Sequence, residues 1–204
     1  MIEETALQKE LISKKITISQ NDQEFLKSMG LNIRLSSVKE QNTRHAQLIQ
    51  TSEQEGKEIA QELNKANNNG KGGYIGLSGV NKIKDILGRI NKDNAAYVVK
   101  YMPNIAEFIN DIDAFGMGLG TEDVFQSIIN PLARKACGQF AVSLDMGEKV
   151  CVIKPEGLTQ IDLIQTKSRF SLNEMKEIIK QLSRVIRIRD KSFMQQYELM
   201  NKQV

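Results

Sequence analysis

Residues 171–200 read SLNEMKEIIKQLSRVIRIRDKSFMQQYELM, a stretch without proline or glycine. Ser171 followed three residues later by Glu174 is a capping box, in which each side chain binds an unpaired backbone N–H at the start of a helix. At about 100° per residue, the apolar side chains share one side. They are Leu172, Met175, Ile178, Ile179, Leu182, Val185, Ile186, Phe193, Tyr197 and Met200. The pattern predicts a long C-terminal helix, 171–200, packed on a core.

The same helix carries a row of bases, centred roughly 140° from the apolar face. A row of Lys and Arg can follow a phosphate backbone without reading its sequence, or bind anionic lipid headgroups. The alternative is a solvated helix face. Arg189 falls on the apolar side, so we expect it to pair with a buried acid or to mark where the helix leaves the core. The predicted nucleic-acid-binding residues, called the basic stripe below, are Lys167, Arg169, Lys176, Lys180, Arg184, Arg187 and Lys191.

An acidic segment precedes this helix in the chain. Residues 104–130 contain five acids and no Lys or Arg, whereas residues 167–191 contain eight bases and three acids. Oppositely charged segments of this kind can dock within one chain or between copies of it. The acids predicted to take part in self-association are Glu107, Asp111, Asp113, Glu122 and Asp123.

Composition sets the limits on domain number and compartment. The chain has 204 residues, of which 40% are hydrophobic and 5% aromatic, which fits one domain or one domain with an arm. A net charge of +3 implies no partner by itself. The two cysteines predict buried reduced thiols, since they form no CxxC pair. No Sec signal and no transmembrane stretch is visible, so we expect a cytoplasmic protein.

The first part of the chain predicts a helical arm over residues 1–66. Its longest piece, 38–66, is polar almost all round and is interrupted by Gly56. A helix this polar bridges solvent, is completed by a partner, or forms only in part. The run NNNGKGG at 67–73 predicts a flexible linker.

Residues 74–204 predict an α-rich core domain. Helical spacing covers 80–90, 95–102, which Asp93 or Asn94 can cap, 104–116, and 121–138, which bends or restarts at Pro131. After Gly138 the period changes to two, which predicts strands at 139–145 and 148–154 and a further strand at 158–166. The predicted fold is therefore mainly α: a helical core with a small antiparallel β-hairpin or three-stranded sheet at about 139–166, a long C-terminal helix and a helical N-terminal arm.

The usual signatures of enzymes are missing from the sequence. Lys71 is followed by Gly72 where a P-loop needs Ser or Thr, and the GLSG string at 76–79 lacks the spacing of a nucleophile elbow. His45 and two thiols are too few for a zinc site by themselves. We therefore predict no catalytic residue, no metal and no cofactor.

The string Gly118-Leu119-Gly120-Thr121-Glu122 offers one alternative. It resembles the G-x-G-T loop with which annexin repeats bind calcium through backbone carbonyls. The resemblance covers five residues and implies a calcium-dependent binder of anionic membranes acting through the 116–123 loop. The competing interpretation is a glycine-rich turn before a helix that Thr121 caps.

The sequence favours a non-enzymatic, self-associating assembly protein that binds nucleic acid non-specifically, in the manner of viral or phage coat proteins and nucleoproteins. This comparison is one of architecture. Its expected partners are copies of itself and a nucleic acid backbone. The other hypothesis from a different class is a protein–protein adaptor or chaperone whose arm, residues 1–66, folds on a partner.

Overall fold

The structure is a computed structural model of the chain. It describes Glu24, Phe25 and Ser28 and residues 38–70, 77–113, 121–138, 142–147, 150–153 and 170–202. The predicted strand at 158–166 and most of the region before residue 38 lie outside the described residues.

Most of the described chain is helical. In chain order the elements are α1 (Val38–Gly70), α2 (Leu77–Leu87), α3 (Ala95–Tyr101), α4 (Ile105–Asp113), α5 (Thr121–Val124), a π-helical turn (Phe125–Ile129), α6 (Asn130–Cys137), β1 (Val142–Asp145), β2 (Val150–Ile153) and α7 (Leu172–Lys202). This confirms the predicted mainly α fold with a long C-terminal helix and a small antiparallel sheet.

The packing of helix α1 is the part of the fold that the sequence predicted least well. The chain divides into two compact units, residues 1–45 and 46–204, and the boundary falls within α1. The sequence placed a boundary at 67–73, of which residues 67–70 continue α1 and residues 71–73 lie outside the described residues. Three apolar side chains from the predicted arm, Ile59, Ala60 and Leu63, belong to the core of the second unit. This part of the polar helix is therefore stabilised by its own chain.

Gly56 is the residue at which α1 meets the start of α3. The prediction that Gly56 interrupts the helix is wrong, because α1 continues through it. A Cβ atom at this position would lie 2.6 Å from the Cβ of Tyr97 and 2.9 Å from the backbone N of Val98. Glycine thus allows two helix backbones to approach more closely than any side chain would permit.

The core of the second unit lies beneath α7. This helix packs against α3, α6 and α4, and its buried apolar side chains recur at helical spacing. Full burial of one such side chain contributes roughly 1.5–3 kcal/mol, so this face supplies most of the stability of the helix. The buried apolar side chains of α7 are Met175, Ile178, Ile179, Leu182 and Ile186.

The helical stretch before the sheet adapts to Pro131. A proline has no N–H to donate, and its ring clashes with the carbonyl four residues earlier in a regular α-helix. The backbone N–H of Asn130 instead bonds the carbonyl of Phe125, five residues back, and Phe125–Ile129 form a π-helical turn. The predicted bend or restart at Pro131 takes this form, with α6 beginning at Asn130.

The predicted hairpin is present in the structure. β1 and β2 pair antiparallel, with Val142 opposite Ile153 and Asp145 opposite Val150. In the turn, Gly147 has φ 83°, a conformation that favours glycine, and its N–H donates to the Asp145 carboxylate at 2.8 Å. The buried side chains of Leu144 and Ile153 fix the hairpin to the helical core.

Candidate functional site

Helix α7 begins as its sequence predicts and leaves the core near Asp190. The backbone N–H of Glu174 donates to the hydroxyl of Ser171 at 3.2 Å, which is one half of the capping box. From Met175 to Asp190 one face is buried, and beyond Asp190 no described side chain of the helix is fully buried. Of the predicted apolar face, Phe193 and Tyr197 are half-buried, and Met200 is exposed. The last three turns therefore extend past the core.

Lys176, the first stripe residue on α7, is neutralised within the chain. Its ammonium group forms an ion pair with the carboxylate of Glu107 on α4. The acidic segment and the basic helix thus meet inside one chain at this point, which is one of the two arrangements that the charge pattern allows. Lys176 is consequently a poor candidate for phosphate binding, and Glu107 is a poor candidate for contact with another copy.

Asp190 forms a buried hydrogen bond with α3. The hydroxyl of Tyr97 donates to its carboxylate at 2.6 Å, and both residues are less than a tenth exposed. Burial and the adjacent Asp190 charge raise the pKa of Tyr97 above its ordinary value of 10.0, while the positive charge of Arg187 lowers it. Arg187 is half-buried, and its Nε donates to the Ser183 carbonyl at 3.4 Å. Arg187 is therefore partly withdrawn from solvent, and its charge acts on the buried Tyr97 hydroxyl.

The other predicted bases on α7 face solvent. Lys180, Arg184 and Lys191, called the exposed trio below, form no ion pair with the described part of the chain. At 1.5 Å per residue they span about 17 Å along one helix. A rigid helix that presents such a row of unpaired cations can contact successive phosphates of a polyanion, with little ordering of the backbone on binding.

The hairpin marks one edge of this row. The amide of Gln181 donates to the backbone carbonyl of Asp145 at 2.9 Å and to the Glu177 carboxylate at 3.0 Å. Asp145 is exposed, and Glu177 is half-buried. These acids and Glu107 lie near the first turns of α7, so the net positive charge of the helix is concentrated from Lys180 onward.

The remaining predicted site residues do not converge on one surface within the described chain. Lys167 and Arg169 lie outside the described residues. Asp111 is exposed on α4, and Asp123 is half-buried in α5. Asp113 and Glu122 belong to α4 and α5, but their side chains are outside the described part. Their predicted role in self-association stays a prediction.

The grouping of bases around the end of α6 was not predicted from the sequence. Arg189 Nη1 donates to the carbonyl of Ala136 at 2.6 Å, where a cation suits the negative end of a helix dipole. This contact confirms that Arg189 marks the point at which α7 leaves the core, although its partner is a carbonyl oxygen. Lys135 on the same turn pairs with Asp93 at 2.8 Å. The sequence signal was Arg134 and Lys135 in one last turn, a usual place for bases.

Other candidate sites have little support among the described residues. No group of three or more His, Cys, Asp or Glu side chains in this part of the chain could hold a metal ion. No described helix is long and apolar enough to cross a bilayer. The glycines of the predicted calcium loop lie outside the described residues, so that hypothesis stays a prediction. Cys137 is buried, and its Sγ lies 3.4 Å from the Ile153 carbonyl.

Comparison with protein-family models, with curated proteins and with solved structures gives no match to this chain.

Proposed function

We propose that the protein is a non-enzymatic, self-associating assembly protein that binds the backbone of nucleic acid non-specifically through the exposed trio. The observation that carries this proposal is the row of three solvent-facing bases, unpaired in the described chain, over about 17 Å of one helix. Contacts of this kind neutralise phosphates and carry no base information. No aromatic side chain lies between these bases on their face, so base stacking is not part of the proposal.

The test is binding of a fluorescent polynucleotide by the full chain, measured by anisotropy at low salt. Changing Arg184 to Glu removes the central base of the trio, and we expect affinity to fall about tenfold or more. Arg184 is the better choice over Arg187, because Arg187 is half-buried and its charge acts on the buried Tyr97, so reversing it would also disturb the core.

Lys82→Glu is the matched control. Lys82 is an exposed base on α2, and it makes the same change in net charge. We expect this variant to bind nearly as the wild type does. Absence of binding by the wild type at low salt would refute the proposal, and equal losses in both variants would reduce it to a general effect of net charge.

Self-association is supported by the last turns of α7. Leu199 and Met200 are large apolar side chains that are 61% and 47% exposed, and Ile188 is 55% exposed. Exposed apolar groups on a helix that extends past its core are typical of contacts with other proteins. Light scattering of the full chain, with and without polynucleotide, measures assembly directly.

These same side chains also support the adaptor hypothesis as a second candidate. An adaptor would bind its partner through apolar contacts, so its affinity would change little between low and high salt. Binding through the exposed trio is instead strongly salt-dependent. The burial of Ile59, Ala60 and Leu63 in the core weakens one form of this hypothesis, because this part of the predicted arm needs no partner in order to pack.

A further inference from the structure

The end of α6 gathers bases from three elements that are distant in sequence. Lys135 pairs with Asp93, which brings the loop between α2 and α3 to this end, and Arg189 bonds Ala136, which brings α7. Next to these contacts lie Lys92 and Arg134. Lys92, Arg134 and Arg189, called the α6 patch below, are all exposed.

The α6 patch carries an excess of positive charge. Asp93 forms an ion pair with Lys135, and Glu62 on α1 forms an ion pair with Arg89 at 2.9 Å. Lys92 and Arg134 form no ion pair within the described part of the chain. Arg189 is bound to a carbonyl oxygen and keeps its full charge. Three cations therefore lie around one helix end. The Glu55 carboxylate, which accepts from the Asn94 amide of the same loop at 3.5 Å, makes the excess of positive charge smaller than that of the exposed trio.

The α6 patch and the exposed trio face different directions. On α7, Arg189 lies about 160° from the mean direction of Lys180, Arg184 and Lys191 at 100° per residue. Because Arg189 contacts α6, helix α6 lies on the Arg189 side of α7, whereas the exposed trio faces solvent. A straight duplex lying on the trio is therefore on the opposite side of α7 from Arg189.

We propose that the α6 patch is a second binding surface for a phosphate backbone, so that one chain holds two separate segments of nucleic acid. This inference rests on the proposed function, since it assigns the same ligand chemistry to a second place. Exposed arginine and lysine side chains bind phosphate groups without preference for the base sequence. A chain with two such surfaces links nucleic acid segments, as condensation during assembly requires.

The test is the stoichiometry of a short DNA duplex of about ten base pairs, roughly 34 Å long at 3.4 Å per base pair. It is measured with the full chain by sedimentation velocity at low salt. We expect two duplexes per wild-type chain and one per chain of the double variant Lys92→Gln with Arg134→Gln. The Arg184→Glu variant should keep only the duplex bound at the α6 patch, which is the weaker surface, so its affinity falls as expected above. Lys82→Gln with Lys84→Gln on α2 is the control of equal charge, and it should bind two.

The outcomes separate this inference from the proposed function. One duplex per wild-type chain, with binding lost in Arg184→Glu, overturns the second surface and leaves the proposed function standing. No duplex bound by the wild type refutes both. If the wild type self-associates without DNA and the Lys92/Arg134 variant does not, the α6 patch contacts a second copy of the chain, and the inference is also overturned. Circular dichroism of each variant verifies that its helices are intact.

Discussion

At the scale of single residues, a glycine and a buried asparagine determine contacts in the core. Asn94 was expected to cap a helix, but it is 1% exposed and makes no side-chain cap bond. Its side-chain nitrogen donates to the Arg89 carbonyl at 3.1 Å, and its side-chain oxygen accepts from the Asn91 N–H at 2.9 Å. The side chain therefore provides hydrogen-bond partners for two backbone groups of the loop before α3. A sequence shows that such a residue can cap, but not which backbone groups will be left buried and unpaired.

Gly56→Ala is expected to destabilise the protein. The new methyl group would overlap Tyr97 and the backbone of Val98, and overpacking of this kind costs typically 1–3 kcal/mol, against a gain in helix propensity of up to about 1 kcal/mol. The free energy of unfolding in denaturant measures the difference. Gly88→Ala is the control, because a methyl group there meets its nearest atom at 3.4 Å. A Gly56→Ala protein as stable as the wild type would contradict the close approach of α1 and α3.

The Tyr97–Asp190 bond predicts a loss of stability in alkaline solution. Folding raises the pKa of Tyr97, mainly through burial, so the unfolded chain releases this proton first as the pH rises above about 10. The stability that Tyr97 contributes is complete below that pH and is lost progressively above it, by up to about 1.4 kcal/mol per pH unit.

Comparison of Tyr97→Phe with the wild type isolates this effect from other titrating groups. At neutral pH the variant should be about 1–3 kcal/mol less stable, because it leaves a buried carboxylate without its donor. Above pH 10 the gap should narrow as the wild type loses its own contribution. If the difference in unfolding free energy between the two proteins stays constant from neutral to strongly alkaline pH, the bond does not contribute in this way.

At the scale of elements, periodicity was a good guide where one face alone is buried. It predicted α7 and the hairpin because their apolar residues alternate with polar ones at a fixed period. It was a poor guide for α1, where the small residues Ala46, Ser52 and Ala60 are buried as well as Ile49, Ile59 and Leu63. Small side chains add little to a hydrophobic pattern, yet they allow helices to pack closely.

Truncation of α7 after Met194 is expected to leave the fold intact. The described residues that it removes are exposed, apart from the half-buried Tyr197, so stability should fall by about 1 kcal/mol or less. Thermal unfolding compares this variant with Leu182→Ala, whose side chain is 0% exposed and whose loss should cost about 2–5 kcal/mol. A truncation as damaging as Leu182→Ala would mean that the last turns belong to the core.

At the scale of the molecule, the basic face could be predicted from the sequence, but which of its bases are unpaired in the described chain could not. A helical wheel places Lys176 and Arg187 beside Lys180 and Arg184, since all four follow one period. Whether Lys176 is free depends on Glu107 of α4, and this contact joins residues far apart in the chain. The α6 patch could not be predicted from the sequence for the same reason.

Under the proposed function, the salt dependence of affinity counts the phosphates that the protein neutralises. For duplex DNA the slope of log affinity against log salt is about 0.9 for each phosphate contacted. Arg184→Gln should therefore lower the slope by about 0.9, because Arg184 is exposed and unpaired in the described chain. Lys176→Gln should leave it almost unchanged, since Glu107 already neutralises that base. Both variants remove one positive charge from the same face of α7, so equal changes in slope would show that the pairing of Lys176 does not withdraw it from DNA binding.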